Sequence, residues 1–165
     1  MVIINQFRKN SREDGLIYII SEEVHSCPKC KGQMKSKDYR ERQGRTKYGD
    51  KVQYLLRPLQ CKECGAIHIE LPYILLPYKR YNAEAIESVL NGEDSDCAAS
   101  IRTKKRWLGW YSRIWQPILY LLRSILNKDQ NLSKPEIQTP DMPKEAGWLK
   151  MAVMAIINSG EKVPT

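Results

Sequence analysis

The chain has 165 residues, with 27 Lys and Arg against 19 Asp and Glu, for a net charge of +8. That length holds one medium core or two small ones and excludes a large multidomain enzyme. The charge is local: residues 29–47 carry eight basic and two acidic residues, and residues 102–113 carry five basic and none acidic. Patches of this kind suit a polyanion, nucleic acid before membrane, although Lys and Arg also serve simply to keep a surface soluble.

Met1 to Lys9 runs from apolar to basic, with no apolar core or cleavage site after it, so no secretory signal is expected and the cytoplasm is the expected compartment. The first expected element is a strand over the β-branched and aromatic run Leu16 to Ile20. Lys35 to Arg42 is weakly strand-like, Gly49-Asp50 signals a turn, and Val52 to Leu59 reads as a clearer strand ending near Pro58. Ala66 to Leu71 alternates as a third strand. The pattern predicts a small antiparallel sheet pinned by two cysteine knuckles.

From Asn82 the apolar period lengthens to about 3.6 residues. Asn82 is the expected N-cap of a helix carrying Ala83, Ile86, Val89 and Leu90 on one face and ending at Asn91-Gly92. Asp94 to Ala99 is expected to form a brief second helix, with Ser100 capping a third that starts at Ile101. That succession is the layout of a helix-turn-helix. Pro117 should break the third helix near Trp115, with helix resuming over Ile118 to Leu126. The longest apolar run there is too short for a membrane span. Residues 127–143, with three prolines, read as a linker. Trp148, Leu149, Ala152, Val153, Ile156 and Ile157 recur at helical spacing in a tail helix that Gly160 would end, and this apolar helix must be buried, with the Trp107 to Leu126 region the expected partner.

Cys27-Pro-Lys-Cys30 and Cys61-Lys-Glu-Cys64 each place two thiols on a tight turn with a glycine close behind, Gly32 or Gly65. Five cysteines in a reducing compartment read as ligands rather than disulfides. Four thiolates, from Cys27, Cys30, Cys61 and Cys64, form a closed tetrahedral set suited to one structural Zn²⁺ with no position for a catalytic water. An iron–sulfur centre and a thiol redox pair are the alternatives. His25 and His68 flank the knuckles, and His68 is expected on a strand face or in a polar surface contact rather than as a ligand. Cys97, beside Ala98 and Ala99, reads as a small buried thiol.

At about 100° per residue, Arg102, Arg106, Gly109 and Arg113 share one face of the third helix, opposite Ile101, Leu108, Tyr111 and Trp115. Arg can address guanine edges, and Lys104 and Lys105 suit phosphates. Trp107 and Trp110 are expected in the core rather than as stacking platforms. A second basic surface is expected from Lys35, Lys37, Arg40, Arg42, Arg45 and Lys47 on the ribbon hairpin, tracking a phosphate backbone. An ordinary solvated basic face is the plainer reading of both.

Cys27-Pro-Lys-Cys30, the run from Leu56 through Cys61-Lys-Glu-Cys64-Gly-Ala-Ile-His68 to Pro72, and Pro77-Tyr-Lys-Arg-Tyr81 resemble bacterial zinc-ribbon proteins of unknown function encoded near transposases and other mobile elements. The Arg106-Trp107 pair and the Gly147-Trp-Leu-Lys150 segment share the likeness. The resemblance implies DNA binding in a mobile-element context and supplies no biochemical activity. The expected fold is therefore α+β. A zinc ribbon over residues 1–80 is followed by a helix-turn-helix-like region over 81–126, a linker over 127–143 and a packing helix over 144–160. The expected function is a non-enzymatic, zinc-dependent DNA-binding accessory or regulatory protein, with double-stranded DNA as partner and no membrane. The alternative is an adaptor docking a transposase or other protein through the ribbon and apolar helices; a homo-oligomer is a separate partner reading. No carboxylate triad stands out that would hold Mg²⁺ for an enzyme.

Overall fold

The computed structural model describes residues 1–113, Tyr120 and residues 146–158. Eight strands precede the helices: β1 (Val2–Ile4), β2 (Arg8–Ser11), β3 (Leu16–Ile20), β4 (Met34–Ser36), β5 (Arg40–Arg45), β6 (Lys51–Leu56), β7 (Pro58–Cys61) and β8 (Ile67–Pro72). They form two four-stranded sheets, ordered β1-β8-β7-β4 and β2-β3-β6-β5. The expected single antiparallel sheet is thus corrected to two mixed ones, because β1 pairs parallel to β8 and β3 parallel to β6. The run from Val52 to Leu59, expected as one strand, crosses between the sheets at Arg57. There the Arg57 guanidinium grips buried Glu70 with both carboxylate oxygens, at 2.6 and 2.7 Å, and donates to the Ser21 carbonyl at 3.0 Å. A bidentate charge-assisted pair, with the guanidinium further held by the Ser21 carbonyl, is what makes a buried carboxylate tolerable at that junction.

The helices are α1 (Ala83–Leu90), α2 (residues 101–113) and α3 (Trp148–Asn158). Asn82 caps α1 by accepting from the Ala85 amide at 3.0 Å, and Ser100 caps α2 by accepting from the Thr103 amide at 3.3 Å. Residues 94–99 form a turn rather than the expected brief helix, held by the Cys97 amide donating to the Asp94 carbonyl and the Ala98 amide donating to the Lys47 carbonyl. The stretch 91–100 between α1 and α2 is therefore longer than the tight turn of a helix-turn-helix. Cys97 is buried, as expected. Expectations for residues 114–119 and 121–145, the Pro117 break and the proline-rich linker among them, lie outside the described residues, as does Gly160.

One apolar core joins the sheets to α1, α2 and α3: among the described residues Ile4, Leu56, Leu71, Leu75, Leu76, Ile86, Leu149 and Ile156 are fully buried in it. The residue-80 boundary between ribbon and helices runs through that shared core. The tail helix α3 packs on β1 and α1, and reaches the Trp107 region through the edge contact of Trp148 with Tyr111. Its attachments are polar as well as apolar. The Glu87 carboxylate accepts from the Gly147 and Leu149 amides at the start of α3, and Asn158 exchanges two hydrogen bonds with the backbone of Ile3, at 3.0 and 3.1 Å. The first satisfies orphan helix amides, and the second occupies the outer edge of β1.

Candidate functional site

The two knuckles are built alike. In the first, the Lys31 amide donates to the Cys27 carbonyl at 2.8 Å and the Cys27 amide to the Gly32 carbonyl at 2.9 Å; in the second, Gly65 donates to Cys61 at 3.1 Å and Cys61 to Ala66 at 2.9 Å. In both, the residue after the second cysteine is left-handed, Lys31 at φ 64° and Gly65 at φ 71°. Gly32 serves a different need: a Cβ there would lie 2.3 Å from Glu63 Cγ and 3.1 Å from Cys61 Sγ, so its bareness lets the knuckles close on each other.

The antiparallel pairing of β4, β7 and β8 carries both knuckles and brings all four sulfurs within 4.8 Å of one another. Cys27 and Cys64 sulfurs are 3.7 Å apart and those of Cys30 and Cys61 3.4 Å. Sulfurs at about 2.3 Å from a tetrahedral ion stand about 3.8 Å from each other, so the four donors are close enough together to hold a metal ion. Cys27 and Cys61 are buried, whereas Cys30 and Cys64 are exposed. Burial works to raise the Cys27 thiol, but the backbone amides of Cys30 and Lys29, with Cys64 and His68, outweigh it and hold the group at about 6. Cys61 is also lowered, first by the Cys64 amide. Cys30 gains from the Gly32 amide, but the surrounding sulfurs of Cys61 and Cys64 prevail and push it up to about 12. The fold thus favours thiolate on the two buried sulfurs even before an ion balances the charge. His68 lies on strand β8, as expected, but its ring turns to the centre rather than to a surface contact, with Nε2 3.4 Å from Cys27 Sγ. The spacing of His68 four residues past Cys64, on the strand leaving the second knuckle, was the available signal.

On the opposite side of the core, α2 faces the loop between β8 and α1 across an open groove of about 1350 Å³. Helix α2 is anchored by Trp107 against Tyr81, with ring centroids 5.0 Å apart, and by Tyr111 against Trp148 at 5.7 Å. Trp107, Trp110 and Tyr111 are buried, while Ile101 and Leu108, expected on the apolar face, are exposed. The aromatic anchors displace them because the neighbouring surface is itself aromatic.

Arg102, Lys105, Arg106 and Arg113 line the groove from α2, with Gly109 between them, and Arg45, Lys79 and Arg80 line it from the other side. No carboxylate lines it among the described residues. The Lys79 ammonium sits 4.0 Å from the centre of the Trp110 ring, and burial, then the charges of Arg106 and Arg113, lower its pKa. Lys104 is instead paired with Asp94 at 2.8 Å, and Lys47 lies 4.0 Å from Asp96. Of the hairpin cations, Arg45 alone reaches the groove. Lys37 and Arg40 line a separate small depression beside Tyr39, Lys35 is exposed on β4, and Arg42 turns inward to donate to the carbonyls of Leu76 and Lys79. Lys79 and Arg80, within the Pro77 to Tyr81 run, join the groove although no periodicity links them to α2 in the sequence.

Fold and site together define a small α+β chain with a four-cysteine centre able to hold a metal ion. Residues 27–107, from the first cysteine of the centre to Trp107, match a domain of unknown function (DUF6431). No curated protein and no solved structure matches the chain. Among the described residues no helix is long and apolar enough to cross a membrane.

Proposed function

We propose that this chain is a non-enzymatic, zinc-dependent DNA-binding protein whose basic groove takes double-stranded DNA and whose cysteine centre is structural. The observation that carries the reading is the groove itself: seven cations converge on it from two walls, with no described carboxylate among them to neutralise the field. The exposed face of α2 offers Arg102 and Arg106 to base edges, while Arg45, Arg80, Lys105 and Arg113 are disposed around it for phosphates. Zinc is the ion best suited to four thiolates in a closed site, and such a site scaffolds rather than hydrolyses. An accessory or regulatory role in a mobile element rests on the sequence resemblance.

Binding of a fluorescent duplex in rising salt tests the reading. With Lys79 held over Trp110 and Arg102 and Arg106 turned to base edges, four cations remain to meet phosphates, so the log–log slope should be about −4. Arg106→Ala should cost about 1–3 kcal/mol at one base position, whereas Arg45→Ala should weaken all sequences alike and flatten the slope by about one. Lys35→Ala, outside the groove, should change neither. Absence of salt-sensitive binding would leave the adaptor reading in its place. Elemental analysis for zinc against iron decides the ion.

A further inference from the structure

Tyr78 stands on the rim of the basic groove with its side chain 77% exposed and its backbone left-handed, at φ 60°. The loop around it is tightly held. Arg42 reaches from β5 to donate to the carbonyls of Leu76 and Lys79, bracketing Tyr78, and the Arg45 amide donates to the Arg80 carbonyl at 2.8 Å. A left-handed turn is met most cheaply by glycine; a bulky aromatic there costs about 1 kcal/mol or more. Among the described residues the ring is exposed and lies outside the core. Neither the turn nor packing accounts for an aromatic at this position. Its neighbours supply the context: Lys79 is drawn back onto Trp110, and Arg80, Arg102 and Arg106 line the same groove.

We propose that Tyr78 is the groove's base-stacking residue, its ring packing on a nucleobase that has left the duplex stack, with Arg42 as the positioning residue that holds the loop upright. The inference rests on the DNA-binding reading above and names what that groove selects. Cations fix a backbone without regard to sequence, whereas an aromatic face is complementary to the flat face of a base. An intact duplex hides those faces within the stack. They open at an unpaired base, or where a step is kinked and a side chain wedges in.

The test compares one duplex in fully paired form with the same duplex carrying a single unpaired base, replaced in one arm by a fluorescent adenine analogue that is quenched on stacking. Wild-type protein should prefer the bulged duplex by about tenfold and quench the analogue, as stacking on one base supplies. Tyr78→Ala and Tyr78→Gly should lose both effects while keeping affinity for the paired duplex, the salt slope and affinity for heparin, which has charge but no bases. Tyr78→Phe should behave as wild type. Tyr78→Gly also removes the backbone strain, so its melting temperature should not fall and misfolding cannot explain its loss. The inference is overturned if the alanine and glycine variants keep the preference, if phenylalanine loses it, or if wild-type protein binds both duplexes alike with a normal salt slope. Absence of salt-sensitive binding to either duplex removes the DNA reading itself, and this inference with it.

Discussion

Between residues 22 and 43, which include the first knuckle, β4 and most of β5, only Cys27 is buried. In α1, by contrast, Ala83, Ala85, Ile86, Glu87, Ser88 and Val89 are all buried, and in α3 Trp148, Leu149, Ala152, Val153, Ile156 and Ile157. The first of these regions contributes two cysteines to the four-cysteine centre, and the second is closed by apolar burial. A chain segment that buries so little does little to offset its own ordering entropy, so its structure is expected to depend on an ion held by the four cysteines. The helical region, which carries the groove, is expected to lack that dependence. Two geometries built on one continuous core can thus draw on different stabilising forces, and their separation is testable.

Stripping the metal should give the largest effect. Structural zinc in small domains contributes an apparent 10–16 kcal/mol, roughly the whole stability of the segment it orders. Chelation, or Cys61→Ser, should abolish amide protection across residues 26–36 and 59–66 while α1 and α3 keep theirs, as hydrogen exchange would report. Collapse of α1 and α3 protection at the same chelator concentration would show that the two ends are one cooperative unit, and would break the comparison.

Trp107→Ala attacks the other end. Removing a buried indole that packs edge-on against Tyr81 should cost about 3–5 kcal/mol and loosen α2, and with it one wall of the groove. Metal content should stay at the wild-type stoichiometry. Thermal melting paired with elemental analysis checks both halves, and metal loss in this variant would contradict the separation.

The sequence was legible where its signals are local. Cysteine pairs at ligand spacing, the caps at Asn82 and Ser100, and the left-handed Gly92 that follows α1 all act within a few residues. The sheet pairing was not local. Val2–Ile4 is too short to show alternation and finds its parallel partner β8 far along the chain, while the all-exposed Arg8–Ser11 has no apolar period. The groove divides the same way. Periodicity placed Arg102, Arg106 and Arg113 on one face of α2, but Lys79, Arg80 and Tyr78 join them only through tertiary packing. Charge alone misleads about Arg42, Lys47 and Lys104, because carbonyls or nearby carboxylates claim them in the fold.

A pH series separates the ends more gently. Protons compete with metal for thiolate, and Cys27 is held near 6 against an ordinary value of 9. A lowered folded value means that its contribution is complete above the ordinary value and lost as pH falls through about 6. Metal trapped by a chromogenic chelator should therefore appear as pH drops below about 6, the ion itself delaying release further. The chain has four tryptophans, and fluorescence of a Trp115→Phe variant, which reports Trp107, Trp110 and Trp148 in the core, should change little over the same range.

The smallest effects distinguish the two knuckles from each other. They share hydrogen bonds and a left-handed residue, yet Lys31 occupies that position in one and Gly65 in the other. A side chain at such φ costs about 1 kcal/mol, so the first knuckle carries strain that the second avoids. Lys31→Gly should then tighten metal binding roughly fivefold, and Gly65→Ala should weaken it by a similar factor. Space is not the issue at Gly65, where a Cβ would meet nothing within 4 Å, so any loss there reports backbone conformation alone. Lys31→Ala controls for the missing charge, because it removes the ammonium while keeping the strain, and its affinity should stay near wild type. Competition against a calibrated zinc chelator reads all three. If the glycine and alanine variants at position 31 bind alike, the left-handed turn costs the knuckle nothing, and the two halves of the centre are equivalent despite their different residues.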